Sequence, residues 1–438
     1  MKESNQFNLL IQKRFSPYFF TQFLGAFNDN VFRNGLVILL TFHGTNIAGM
    51  NASQLANVAG ALFIFPYFLF SATAGQLTDK YEKSNLIRKI KIFEIILMVM
   101  AAYALTMKYY TGLLLILFFM GFQSALFSPA KYSYIPQHLS KNELIGGNAL
   151  VESGTYIAII LGLMVGGIAV SMNYENNIIL SACLLCLATF GYITSKGIPK
   201  TESVDPTLKI NWNIFTETSR IIGFAKRDQG VMYAIIGISW FWFYGSAITL
   251  QIPAYTLNII NGNEVITTTL LATFAIGIGI GSLLCEKLSG YRIEIGLVPL
   301  GSIGLTLFSA DLYFAKPIAN MLEISLISEF LSVREHLRIL LDLTMIGLFG
   351  GLYSVPLYAM LQERAERKKI SRIIAANNIL NAIFMVSASL FAIITLSSGM
   401  SIPQFFLILA GLNGIVSIYI YCRYPAFFVR FLKWIFRK

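Results

Sequence analysis

Apolar residues fill this chain in long runs separated by short polar connections, without the narrow apolar stripe of a soluble amphipathic helix. Twelve such runs are centred near residues 30, 65, 97, 118, 160, 186, 243, 275, 303, 349, 385 and 411. About 20 apolar residues at a rise of ~1.5 Å each cross a ~30 Å hydrocarbon core. Spanning segments must satisfy their own backbone hydrogen bonds, so runs of this length predict helices and an all-α, multi-pass membrane protein with twelve transmembrane helices. The longest polar connection, Lys196 to Gly230, follows the sixth run. It predicts an N-terminal six-helix bundle over 1–195, a linker over 196–229, a second six-helix bundle over 230–423 and a basic amphipathic tail over 424–438. Two bundles of this kind are the layout of a transporter with its substrate site between them near the midplane.

Charge assigns the sides. If the connections alternate, 28 of the 33 Lys and Arg residues share a side with both termini, and 4 (Lys108, Lys316, Arg334, Arg338) lie opposite. This bias predicts that both termini are cytoplasmic. The net charge of +11 is then matched to an anionic inner leaflet rather than to nucleic acid. The chain is 56% hydrophobic and 13% charged, against roughly 25% charged in a soluble domain. Lys13-Arg14 precedes the first run without a small-residue cleavage site, so that run reads as a retained helix rather than a signal peptide. Cys183 and Cys186 have redox spacing, but no His, Asp or Glu stands beside them, and they read as packing residues. Nothing in the sequence calls for a cofactor or a metal.

The segment Gln22-Phe-Leu-Gly-Ala-Phe-Asn28-Asp29-Asn-Val-Phe-Arg33 places a carboxylate and a guanidinium inside the first run. Each costs ~2.5–3.5 kcal/mol at a helix centre on the insertion scale, so they mark a polar cavity, a helix partner or a substrate path. Phe127-Ser-Pro129-Ala-Lys131-Tyr132 follows the fourth run, and Pro129 is predicted to kink or end that helix. Lys131 reads as a positive-inside anchor or a ligand for an anionic group. Glu152, one turn after Asn148 on the fifth run, reads as a helix partner or a site carboxylate. Trp240, Trp242, Phe243 and Tyr244 supply either core or the wall of an apolar path. Pro66, Pro253 and Pro356 are predicted to interrupt their helices, and Asn377, Asn378 and Asn381 to pack between helices. Asn213–Lys226 and 315–335 are predicted amphipathic surface segments.

Gly75-Gln-Leu-Thr-Asp79-Lys80-Tyr-Glu-Lys83 joins the second and third runs. It resembles the cytoplasmic signature of the major facilitator superfamily, which implies that Asp79 braces a helix N-terminus of the other half and so holds the outward-facing state; Gly75, Asp79 and Lys80 in this loop, and Pro129 after the fourth run, are the expected gating residues. Gly281-Ser-Leu-Leu-Cys-Glu286-Lys287 is a degenerate copy in the second half. The segments QFLGAFNDN, FSPAKY, NELIGGNALVES and Val355-Pro-Leu-Tyr-Ala-Met-Leu-Gln-Glu-Arg364 resemble the bacterial lysophospholipid transporter family within that superfamily. The form is closest to members fused ahead of a glycerophospholipid acyltransferase and acyl-carrier-protein synthetase. The resemblance implies a flippase in the bacterial inner membrane, carrying lysophosphatidylethanolamine-type lysolipids from the outer to the inner leaflet for reacylation. It implies a substrate site at Asp29 and Lys131, and the chemistry of the residues themselves adds Gln22, Asn28, Arg33, Tyr132, Glu152, Trp242 and Gln251 as candidate substrate-binding residues. Gln251 stands where standalone members carry an arginine, which removes a fixed cation for phosphate. Two other readings share the chain: a proton-coupled symporter or efflux pump of the same fold, and a membrane scaffold for an acyltransferase. The chain itself shows no acyltransferase pattern, since none of His43, His138 and His336 has Asp five residues on.

Overall fold

The computed structural model describes residues 5–42, 52–172, 177–315 and 326–436. Lys2, His43, Lys316, Arg437, Lys438 and residues 316–325 of the predicted external segment lie outside them. Among the described residues are twelve long helices: α1 Ser16–Phe42, α2 Ala52–Lys80, α3 Lys83–Thr106, α4 Tyr110–His138, α5 Leu144–Met172, α6 Ile178–Lys196, α8 Gln229–Tyr255, α9 Glu264–Leu288, α10 Leu297–Phe314, α12 Arg334–Arg364, α13 Ile370–Ser397 and α14 Ile402–Arg423. Three shorter ones, α7 Ile214–Ala225, α11 Ile327–Ser332 and α15 Ala426–Ile435, lie between or after them.

Ten of these helices are long and apolar enough to cross a membrane; the other two long ones are α1 and α3. Both carry polar groups within their length: α1 buries Asn28 and holds the half-buried Asp29 and Arg33, and α3 buries Lys91 and Glu94. Lys91, assigned by sequence to the polar connection before the third run, therefore lies in the bundle interior. The predicted interruptions at Pro66, Pro253 and Pro356 do not occur, since α2, α8 and α12 run through them, and α4 does not end at Pro129. A proline removes one intrahelical bond, and neighbouring helices can satisfy the freed carbonyl. After Pro253 the spiral relaxes into a π-helical turn, Thr256–Ile260.

In the first bundle α1 packs on α5 and α6, α2 on α4, and α3 on α4 and α6. In the second, α12 packs on α8, α9 and α10, and α14 on α10. The bundles meet along α5–α9 and α2–α13. The α9–α12 seam depends on missing side chains: a Cβ on Gly281 would lie 1.9 Å from the Leu348 carbonyl oxygen, and one on Gly347 2.2 Å from that of Phe274. Small residues let the backbones meet, which in lipid replaces the hydrophobic driving force.

Both described ends of the chain sit at the C-terminal end of α9. The Gln6 amide donates to Glu286 Oε2 at 2.9 Å, and Trp434 Nε1 donates to the Leu288 carbonyl at 2.8 Å. The linker returns to this same end. The amides of Val204 and Asp205 donate to the Asp79 carbonyl at 3.0 and 2.9 Å, closing the C-terminus of α2. Gln76 and Asn211 exchange two bonds at 3.0 and 2.7 Å. Capped by Asn213, α7 buries Ile221 against Ala72, Ala375, Ala376 and Ile379 and leaves Phe215 exposed. Gly281→Val is expected to cost at least about 1–3 kcal/mol through overpacking, seen as a lowered thermal midpoint of the purified protein in detergent.

Candidate functional site

At the end that carries both termini the halves are bonded across their interface. Gly75 lets α2 approach α13 so closely that a Cβ there would lie 2.9 Å from Ala375 Cβ. One turn on, Asp79 Oδ2 accepts from Arg372 Nε at 2.8 Å, in the first turn of α13, where the helix dipole favours a carboxylate. The Arg372 guanidinium also lies 5.3 Å from the Phe224 ring of α7. Lys80 rests over its neighbour Tyr81 at 5.9 Å. In the second half Glu286 occupies the related place, taking the Gln6 amide and standing where a Cβ on Gly146 of α5 would fall, 2.5 Å from its Oε1. Further bonds join the halves: Asn148 and Gln362 exchange two at 2.7 and 3.0 Å, Asn378 donates to Ser128 at 2.9 Å, and Ser153 donates to the Gly279 carbonyl at 2.8 Å. Sequence named Asp79 but not Arg372, whose signal was a cation in the first turn of a helix that opens the other half's signature partner.

Just inside this end lies a polar group built on α1, α4 and α5. Lys131 Nζ donates to Thr155 Oγ1 at 3.2 Å, and Thr155 donates to Gln22 Oε1 at 3.1 Å. Tyr132 donates to Glu152 at 2.8 Å and stacks on Tyr358 of α12 at 4.8 Å, and Trp242 of α8 donates to the Tyr358 hydroxyl at 3.1 Å. The structure therefore brings Gln22, Lys131, Tyr132, Glu152 and Trp242 into one region, through Thr155 and Tyr358. Those two were not singled out from sequence, because isolated hydroxyls in an apolar run carry no pattern. Pro129 is buried in the uninterrupted α4, its carbonyl taking the Ser133 hydroxyl at 2.6 Å.

Near the middle of α1, Asp29 Oδ2 accepts from Ser124 of α4 at 2.6 Å, while its shielded Oδ1 accepts no hydrogen bond among the described residues. Arg33, one turn on, donates to Asn30 at 2.9 Å and lies 5.8 Å from the Phe63 ring. Among the described residues Asp29 and Arg33 do not form an ion pair. Asn28 points away from this group and donates to Glu94 of α3 at 3.1 Å. Gln251 is buried in the last two turns of α8 and has no hydrogen bond to this group among the described residues. Trp240 and Tyr244 are committed to the core, donating to Asn413 and to the Leu305 carbonyl at 2.7 and 2.9 Å.

The profile of the Major Facilitator Superfamily matches residues 18–389. The chain belongs to that superfamily. It is 25% identical over 359 residues to the lysophospholipid transporter LplT of Enterobacter sp. (strain 638), covering 79% of each protein. The same holds over 353 residues for LplT of Escherichia coli O1:K1 / APEC, again with 79% of each covered. Among solved folds, the transporter FucP in its outward conformation aligns with a TM-score of 0.70 at 12% identity, covering 94% of this chain and 99% of FucP. The human organic anion transporter MFSD10 aligns at 0.70 and 13% identity, covering 93% of this chain and 98% of MFSD10. These likenesses make this superfamily member a transporter rather than an enzyme.

Two outcomes follow at the bonded end. Arg372→Ala leaves Asp79 without its charged partner in a buried setting, so cysteine probes in the α2–α13 seam should label at least about tenfold faster, as loss of a charge-assisted bond worth ~1.5–3 kcal/mol requires. Unchanged labelling would remove this pair from the seam. Between α4 and α5, burial raises the Glu143 carboxyl, but bonds from Arg14 at 3.0 Å and from Ser140 outweigh it and hold it down at about 2. A carboxyl depressed on folding contributes stability above its unfolded range, near 4.5, that is lost as pH falls toward 2. Melting midpoints should therefore fall more steeply over that window in the parent than in Glu143→Gln.

Proposed function

We propose that this protein moves lysophospholipids of the lysophosphatidylethanolamine type from the outer to the inner leaflet of a bacterial cytoplasmic membrane by alternating access. The observation that carries the reading is the separation of Asp29 from Arg33. Two opposite charges one helical turn apart, unbonded to each other, suit a zwitterion with an amine and a phosphate. Asp29 Oδ1 has acceptor capacity for the amine, and the Arg33 guanidinium has donors for phosphate through charge-assisted bonds. Kinship to proteins named lysophospholipid transporter supports the same substrate class. Gln251 offers no charge, so the cation comes from the first half: Arg33 at midplane, with Lys131 nearer the exit.

In this reading both termini are cytoplasmic, the bundles 1–195 and 230–423 rock against each other, and Asp79–Arg372 with Glu286 closes the cytoplasmic end of an outward-facing state. The lipid leaves past Lys131 and Glu152 to a reacylating enzyme at the inner face. A proton-coupled symporter is the second reading, favoured by the buried Glu152 carboxylate beside Tyr132.

Binding of labelled lysolipids to the purified protein tests the assignment. Arg33→Gln is expected to weaken lysolipids with and without an amine alike, by roughly 2–5 kcal/mol. Asp29→Asn should hurt the amine-bearing lipid more while leaving expression intact. If Arg33→Gln leaves every lysolipid affinity unchanged, the phosphate site lies elsewhere. A transport rate that follows an imposed proton gradient and is lost in Glu152→Gln would favour the symporter.

A further inference from the structure

Deep in the first bundle, α3 carries two charges that this path does not touch. Lys91 and Glu94 form an ion pair at 2.6 Å with neither side chain exposed. The lysine occupies a cleft between α1 and α6: a Cβ on Gly25 would lie 2.5 Å from its Nζ, and one on Gly191 3.5 Å away. Replacing a buried pair by apolar residues is often neutral or stabilising, so net stability is a weak reason for its presence. Its hydrogen bonds supply a better one. Glu94 Oε2 also accepts from Gln123 Nε2 at 3.0 Å, and its Oε1 accepts from Asn28 at 3.1 Å. A carboxylate only accepts, so it must turn the amide nitrogen of Gln123 toward itself. The amide oxygen of Gln123 then faces Ser124, 3.1 Å from its hydroxyl.

Ser124 has one hydrogen to give, and three groups bond with its hydroxyl: Asp29 Oδ2 at 2.6 Å, Gln123 Oε1 at 3.1 Å and the Tyr67 hydroxyl. The carboxylate is closer and charged, so it takes the hydrogen. With Gln123 fixed, its oxygen cannot swap for a nitrogen that would donate to Ser124 and alter that contact. We propose that the Lys91–Glu94 pair is a positioning device for Asp29, acting through Gln123 and Ser124 to hold Oδ2 and keep Oδ1 presented to the path, and that it thereby sets the preference for amine-bearing headgroups. The ligand in this inference rests on the function proposed above; the positioning does not.

Two measurements on the full chain in nanodiscs test it. The first is the rate at which a carbodiimide modifies Asp29, read by mass spectrometry without any lipid ligand. Glu94→Gln should change that rate about fivefold, the factor matching the ~1 kcal/mol net worth of one hydrogen bond. The same change in a Ser124→Ala background should have a smaller effect, because the hydrogen-bonded link is cut and only the direct field of Glu94 and Lys91 on Asp29 is left, and Lys91→Arg should keep the parental rate. The second is the ratio of affinities for lysophosphatidylethanolamine and lysophosphatidic acid, which Glu94→Gln should lower by a similar factor. If Glu94→Gln does not accumulate, Lys91→Met combined with Glu94→Gln removes both charges together and serves in its place. An Asp29 rate unchanged in these variants, or equally changed with and without Ser124, overturns the positioning role. A changed rate with an unchanged affinity ratio supports positioning and overturns the assignment of Asp29 to the amine.

Discussion

A charge on a membrane helix has to be matched inside the protein, and this requirement arranges most of what surrounds α1 and α3. Lys91 and Glu94 lie wholly within the first bundle, bonded to each other and to Asn28 and Gln123. Asp79 meets Arg372 across the interface of the halves. Bonding capacity is left over in several places: Asp29 and Asp79 each have one engaged oxygen, Gln22 has an unengaged amide nitrogen, and Lys131 is held by a single hydroxyl. Buried polar groups are costly unless paired, and in the proposed function the unfilled capacity of Asp29, Gln22 and Lys131 serves a polar ligand.

The bonded end draws on more of the chain than the two bundles. The linker caps α2 through Asp79, α7 fills the notch between α2 and α13, and the N-terminal turn at Gln6 and the tail at Trp434 both fasten to α9. Glu286 repeats in the second half the place that Asp79 holds in the first, despite its displaced position in the degenerate loop. The approach of α5 at Gly146 explains how: a glycine there leaves room for the longer glutamate.

Long apolar runs made the fold legible, and every predicted span coincides with one of the twelve long helices. The loop signature around Gly75 and Asp79 also pointed to the superfamily that the profile match establishes. Proline misled at residues 66, 253 and 356, because a single lost backbone bond does not stop a helix wrapped by others. Lys91 was misplaced because a lysine near the start of an apolar run reads as an anchor; its matching glutamate three residues on was the overlooked sign. Thr155, Tyr358, Ser124 and Gln123 were not legible at all, since their importance comes from helices that meet only in the folded chain.

Transfer of a lysolipid between leaflets tests the central claim most directly. In proteoliposomes of uniform orientation, lysophosphatidylethanolamine labelled on its acyl chain and placed in one leaflet should become shielded from an impermeant quencher at a rate set by protein density, with the lipid retained in the membrane. Transfer no faster than in protein-free vesicles, at any orientation or imposed ion gradient, would contradict the account.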